Sequence, residues 1–145
     1  MPWTTAKNSL IDAKLKELES HNMIVICSAG NNAADVDSYS PAGLDQVMTV
    51  GAYNNSYQVG AFGADATWSG GGSGCNLGEE IDIYALGTNV SIADSSNVSN
   101  YNTAYGTSAP TAIVAGLSAQ YVQQSPTATA TQVKSFMVAE GSHKL

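Results

Sequence analysis

Residues 23–29, Met-Ile-Val-Ile-Cys-Ser-Ala, form a continuous apolar run, and this run constrains the fold more than any other stretch. It is short, rich in β-branched residues and lacks the polar alternation of a strand with one wet face. Such a run is suited to a strand buried on both faces, the kind found in parallel sheets covered by helices. Just before it, residues from about Lys7 to Ser20 set Leu10, Ile11, Leu15 and Leu18 at helical spacing. Lys14, Lys16, Glu17 and Glu19 fall mostly on the opposite side, so this segment reads as an amphipathic surface helix ended by His21-Asn22. Helix followed by buried strand points to an α/β protein.

The pattern continues. A second strand is expected over Val47–Ala52, after a turn-rich loop, and a third over Ile81–Ala85, after the glycine-rich loop from Gly70 to Gly74. Residues Tyr101–Tyr105, pairing back toward Asn89–Ala93, suit a small hairpin. A central helix runs to about Gln124, Ser125-Pro126 breaks it, and a last helix spans Thr129–Ala139 with Val133, Phe136 and Met137 on one face. The chain of 145 residues contains no internal repeat and no linker, which makes it one domain, and its 43% hydrophobic content supports a packed core.

Charge and cysteine usage narrow the function. Five lysines, no arginine and a net charge of −7 argue against a nucleic-acid partner. No apolar run is long enough for a membrane span, and the first residues lack a signal-peptide pattern. Cys27 and Cys75 are too few and too far apart for a disulfide framework; Cys27 reads as a small buried hydrophobe. Residues 69–74 follow no strand, open no helix and have no lysine after their glycines, so they read as a flexible loop, not a phosphate loop. No Cys/His spacing suits zinc.

Two stretches carry chemistry. Gly106-Thr107-Ser108 leads directly into the small, apolar run Ala109–Gly116, which puts Ser108 at a helix N-terminus. Unpaired N–H groups and the macrodipole favour negative charge there, which suits a serine nucleophile beside a forming oxyanion. The alternative is that Thr107 or Ser108 simply caps a core helix. The second stretch, Ser28-Ala29-Gly30-Asn31-Asn32, lies where the first strand ends, and ligands of parallel sheets gather at that end. Asn31 is either a turn former or an amide donor aimed into a cleft. Asp82, a carboxylate within an otherwise apolar strand, needs a cation or backbone amides to offset its burial, and both options stay open.

Gly106-Thr107-Ser108 followed by Val114-Ala115-Gly116 resembles the serine motif of the subtilisin-like proteases, the subtilases. The match departs from the family where Pro110 comes two places early and Ala112 and Ile113 replace a usual proline and a frequent histidine. Ala29-Gly30-Asn31-Asn32, Tyr39-Ser40-Pro41-Ala42 and Val47 to Ala52 resemble the proteinase K-like branch. So does Ile81 to Gly87, with Leu86 in place of the family's proline, and Thr67-Trp68-Ser69 resembles the family's Phe-Ser turn.

The resemblance implies a fold: the C-terminal part of a three-layer α/β sandwich, with about three parallel strands, a small hairpin and three helices. It also implies roles: Ser108 as nucleophile, Asn31 in the oxyanion hole, and Ser28, Ala29, Gly30, Tyr39, Ser40 and Pro41 in substrate binding. Asp82, with the backbone carbonyls of Asp45 and Val47, matches a structural calcium site. No cofactor is required for the chemistry.

The family's Asp-Ser/Thr-Gly and His-Gly-Thr motifs, which precede the asparagine, have no match here. Of the two histidines, His21 is expected at the wrong end of the sheet and His143 near the frayed chain end. The expectation is therefore a partial peptidase domain over residues 1–145: a fragment, a truncated gene or one part of a split protease. The missing N-terminal half would then be a partner, beside a protein or peptide substrate. The function implied is peptide-bond hydrolysis through an acyl-enzyme on Ser108. The alternative is a non-catalytic subtilase-like binding or structural module. A secreted or extracellular location is the family expectation.

Overall fold

The computed structural model describes Met1, residues 4–57, Val59, and residues 74–97 and 99–141. The Thr67-Trp68-Ser69 turn, most of the Gly70–Gly74 loop and His143 therefore lie outside the described residues.

Asn8 opens the first helix, α1 (Ser9–Ser20), by accepting the N–H groups of Leu10 and Ile11 on its side chain. That cap moves the start two residues inside the expected Lys7. His21 ends the helix and Asn22 turns the chain at φ 59°. The apolar run then supplies β2 (Ile26–Ser28), which lies parallel to β4 (Met48–Tyr53) with Cys27 opposite Thr49. Met23 precedes the ladder and is exposed, so the strand is shorter than the apolar run that contains it. β5 (Ile83–Leu86) adds to the far side of β4 in parallel, giving the order β2-β4-β5.

Among the described residues, two antiparallel pairs stand beside this sheet. The hairpin of β6 (Val90–Ala93) and β7 (Tyr101–Ala104) stands close to where the sequence puts it. A two-residue ladder of β1 (Thr5–Ala6) and β3 (Tyr39–Ser40) is not legible in the sequence, because two-residue strands carry no periodicity. The long helix α2 (Ser108–Gln124) and the last helix α3 (Ala130–Gly141) follow. Among the described residues, three parallel strands, a small hairpin and three helices match the architecture that the resemblance implies.

Alternation from Val47 into β4 explains the layers. Val47, beside Leu15 of α1, Cys27, Ala29 and Ile81, packs on one face of the sheet. Met48 and Val50 face the other way, against Val114 of α2 and Val133 and Met137 of α3. The α1 face differs from expectation in one respect. Leu10, expected on the apolar side, is 78% exposed, and Ile11, Leu15 and Leu18 make the contact instead.

Helix α2 also differs from expectation. Pro110, Thr111, Val114 and Ser118 are buried, but Ile113 and Leu117 are exposed, as are the small residues Ala112, Ala115 and Gly116. One stripe of this apolar helix therefore covers the sheet and the rest faces outward. Beside it, a groove of about 630 Å³ runs between α1 and α2 along β2, lined by Leu15, Leu18, Ile24, Ala115, Ala119 and Val122. Met1 lies along the same edge, where its N-terminal amine donates to the Ile26 carbonyl and its own carbonyl accepts from Ser28 N–H at 3.0 Å.

Candidate active site

The C-terminal end of β2 delivers Ala29, Gly30 and Asn31 into a loop that must turn sharply. Gly30 makes the turn at φ +101°, and a Cβ there would lie 2.5 Å from Thr4 Cγ2 and 2.6 Å from Asn76 Nδ2. Both the dihedral and the space therefore require glycine.

Asn76 holds the loop in shape. It is fully buried, donates Nδ2–H to Ala29 O at 2.8 Å, and accepts Asn32 N–H and Ala34 N–H at 2.9 and 3.2 Å. Its backbone N–H donates to Gly30 O at 2.8 Å. A parallel run of bonds between residues 74–77 and 30–36 extends the same contact, with Ala33 N–H to Gly74 O at 2.9 Å and Val36 N–H to Leu77 O at 2.8 Å. Nothing in the local sequence around Asn76 signals this role, since it comes from long-range pairing.

The loop meets the start of α2 through Thr107. Its backbone N–H and its hydroxyl each donate to Asn31 Oδ1 at 3.1 Å, while the same hydroxyl accepts Gly30 N–H at 3.2 Å. A backbone N–H can only donate, so the atom facing it must be the oxygen of the Asn31 amide. Nδ2 therefore points away from Thr107. Cys75 Sγ approaches the same oxygen at 3.7 Å. Thr107 sits at the N-cap position, but its side chain makes no cap hydrogen bond and its backbone is already helical. The capping alternative thus fails for Thr107, whose hydroxyl is used across the cleft. Ser108 is the first residue of α2 and is half-buried. Asn31 and Ser108 are thereby brought to one place.

The other residues singled out for substrate binding divide by burial. Ser28, Ala29 and Gly30 are buried at the end of β2, and Ser40 and Pro41 are buried at the end of β3. Tyr39 is half-buried. Ser40 accepts Asn8 N–H on its hydroxyl at 2.7 Å and Thr4 Oγ1–H on its carbonyl at 3.0 Å, so its polar groups serve the β1–β3 corner. His21 lies before the start of β2, whereas Asn31 follows its end.

Both cysteines are free and buried. Burial pushes the Cys27 thiol up to about 11, despite a contact with Thr49 Oγ1 at 3.4 Å, and the Cys75 thiol up to about 12. Neither forms a thiolate near neutral pH.

The oxygens implied as calcium ligands do converge, at the opposite end of the sheet from Asn31. A side chain of this chain fills the place between them. Lys134 Nζ donates to Asp45 O at 2.9 Å and to Val47 O at 2.8 Å, and pairs with Asp82 Oδ1 at 2.9 Å. Asp82 Oδ2 accepts Thr49 N–H at 2.8 Å. The residues present therefore do not fit a metal ion: an ammonium already uses the acceptors that the ion would need. Of the two options open for Asp82, a backbone amide and a lysine together are what the structure contains. In the sequence, Lys134 is indistinguishable from an ordinary polar helix residue.

Comparison with known proteins shows the family and the fold. The profile of the subtilase family, peptidase S8, matches residues 2–141. The chain belongs to the subtilase family. Subtilisin-like protease 2 of Pseudogymnoascus destructans is 32% identical over 146 residues, covering 98% of this chain and 32% of that protein. The extracellular serine proteinase of Thermus sp. is 30% identical over 131 residues, covering 90% of this chain and 29% of that protein. This subtilase chain thus spans about a third of the length of these relatives. A crystal structure of a cold-adapted subtilisin-like serine proteinase superposes with a TM-score of 0.79 at 24% identity, over 96% of this chain and 46% of that one. At that identity the likeness speaks for the fold.

Proposed function

We propose that this chain carries the nucleophile and oxyanion-hole part of a subtilase catalytic domain that hydrolyses peptide bonds. In this reading, Ser108 Oγ attacks the scissile carbonyl carbon and its proton passes to a base. The carbonyl oxygen becomes a tetrahedral oxyanion, stabilised by Asn31 Nδ2–H and by the Ser108 N–H at the start of α2. Collapse breaks the C–N bond, the amine leaves with the proton, and water then hydrolyses the acyl-enzyme. The base and the carboxylate that orients it would be the His and Asp of an upstream family segment. Gly30, Ser28 and Ala29, with Tyr39, Ser40 and Pro41, would form the pocket for the residue before the scissile bond.

The observation that supports this reading best is the double hydrogen bond from Thr107 to Asn31 Oδ1. It anchors the acceptor end of the amide beside Ser108 and leaves the donor end for an anion. A secreted location is in keeping with the Thermus relative, whose name calls it extracellular.

Fluorophosphonate labelling tests the reading, with Ser108→Ala as the blank. The chain joined to an upstream subtilase segment that carries the Asp and His motifs should label at Ser108. The chain by itself should label only at background rate, since a serine without a base is a weak nucleophile. No labelling of the joined chain, although it is folded, would favour the non-catalytic alternative.

A further inference from the structure

We propose that Lys134 is a built-in cation that takes the place of a metal ion, so that this subtilase chain is stabilised without calcium where the resemblance implies a calcium site. Stoichiometry and position both support this assignment. A lysine ammonium has three N–H donors and no acceptor. Three oxygens from two segments of the chain face Nζ: Asp82 Oδ1 at 2.9 Å, just before β5, and Asp45 O at 2.9 Å and Val47 O at 2.8 Å, just before β4. Donors and acceptors match one to one.

Charge matches as well. One carboxylate faces one ammonium, with side chains only 18% and 28% exposed. A divalent ion on the same single carboxylate would leave an excess positive charge. Calcium also takes six to eight oxygens at about 2.3–2.6 Å, and would need several waters here. The ammonium needs none.

The lysine cross-links the chain as a bound ion would. It ties α3 to the segment before β4 and to the residue preceding β5, at the edge of the core where Val133 and Met137 of the same helix pack on the sheet. A groove of about 570 Å³ opens beside it, lined by Glu19, Asp45, Met48, Asp82, Thr131 and Ser135. If the lysine side chain is removed, water and a hydrated cation have a path to the three oxygens.

The test is a gain of calcium dependence, measured as the thermal midpoint of the intact protein in calcium and in chelator. Wild type should show the same midpoint in both. Lys134→Ala should melt lower in chelator and recover in calcium by about 5 °C or more when calcium is about 100-fold above its Kd. Lys134→Glu, with a second carboxylate, should respond more strongly. Adding Asp82→Asn should abolish the response of either variant. A wild-type midpoint that rises with calcium would overturn the proposal, because a metal would then bind despite the lysine. Failure of both Lys134→Ala and Lys134→Glu to respond to calcium would overturn it too, because the three oxygens would then not form an interchangeable cation site.

Discussion

Thr107 is bonded twice to Asn31: its backbone N–H and its hydroxyl both donate to Oδ1 at 3.1 Å. The two residues are 76 positions apart, one at the end of a strand and the other at the start of a helix. Their contact fixes which end of the amide faces Thr107, and so links the two stretches to which the proposed chemistry is assigned.

Removing the amide is the sharpest test of that link. In the chain joined to an upstream segment with the Asp and His motifs, Asn31→Ala should lower kcat far more than it raises KM, because the donor meets the oxyanion chiefly in the transition state. Loss of one such donor costs subtilisin, a member of this family, about 2.7–4 kcal/mol, and subtilisin's own value sets the scale expected for this chain. Steady-state kinetics on a peptide substrate read the split. An unchanged kcat would remove Asn31 from the chemistry.

Thr107→Val keeps the shape and the backbone donor but loses the hydroxyl. Asn31 Oδ1 then keeps one of its two bonds from Thr107, and Gly30 N–H loses its acceptor. A net hydrogen bond is worth about 0.5–1.5 kcal/mol, so kcat should fall by about 2- to 12-fold. Asn31→Ala combined with Thr107→Val should be little worse than Asn31→Ala alone, since both act through one amide. Additive losses would mean that Thr107 acts elsewhere.

Asn76→Ala tests the loop behind the site. The substitution leaves the buried Ala29 carbonyl without its side-chain donor and frees Asn32 N–H and Ala34 N–H from their acceptor. An expected loss of about 1–3 kcal/mol corresponds to a midpoint lowered by roughly 3–10 °C. Asn76→Asp, which keeps the acceptor and loses the donor, should not restore the midpoint. Calorimetry at neutral pH measures both variants.

Much of this fold is legible in the sequence, and the part that is not has a common physical cause. The run at residues 23–29 specifies a buried parallel strand because β-branched residues without alternation need cover on both faces. The change from a polar turn to small apolar residues places Ser108 at the start of α2. Local pattern cannot show Asn76 at Ala29, 47 positions away, nor Lys134 on Val47, 87 positions away. A polar residue gives the same local signal whether it is solvated or bonded across the core. Leu10 shows the converse limit: its spacing suits the apolar face, yet the helix lies with Ile11 and Leu15 inward.

Stability should respond to alkaline pH in a set direction. The Cys27 and Cys75 thiols are raised from 9.0 to about 11 and about 12, and burial is the main cause in each. A folded value above the unfolded one means that their contribution is complete below about pH 9 and is lost as pH rises through 11 and 12. The thermal midpoint should therefore be insensitive to the thiols at pH 7–8 and fall above pH 9. Cys75→Ala should flatten that fall, leaving the part due to Cys27 and to Tyr84, whose phenol burial also raises. A wild-type midpoint that is level from pH 9 to 11 would contradict the burial of these groups.

The central claim is that Ser108 is a nucleophile served by Asn31, and pre-steady-state acylation reads it most directly. The chain joined to an upstream subtilase segment that carries the Asp and His motifs is mixed with an activated ester, the burst of leaving group is recorded, and the adduct is located by peptide mass. The expected result is a burst of about one equivalent with the acyl group on the peptide containing Ser108. Asn31→Ala should slow the burst by roughly 100- to 1,000-fold without moving the adduct. An acyl group found on another residue, or a burst that keeps its rate in Ser108→Ala, would contradict the claim.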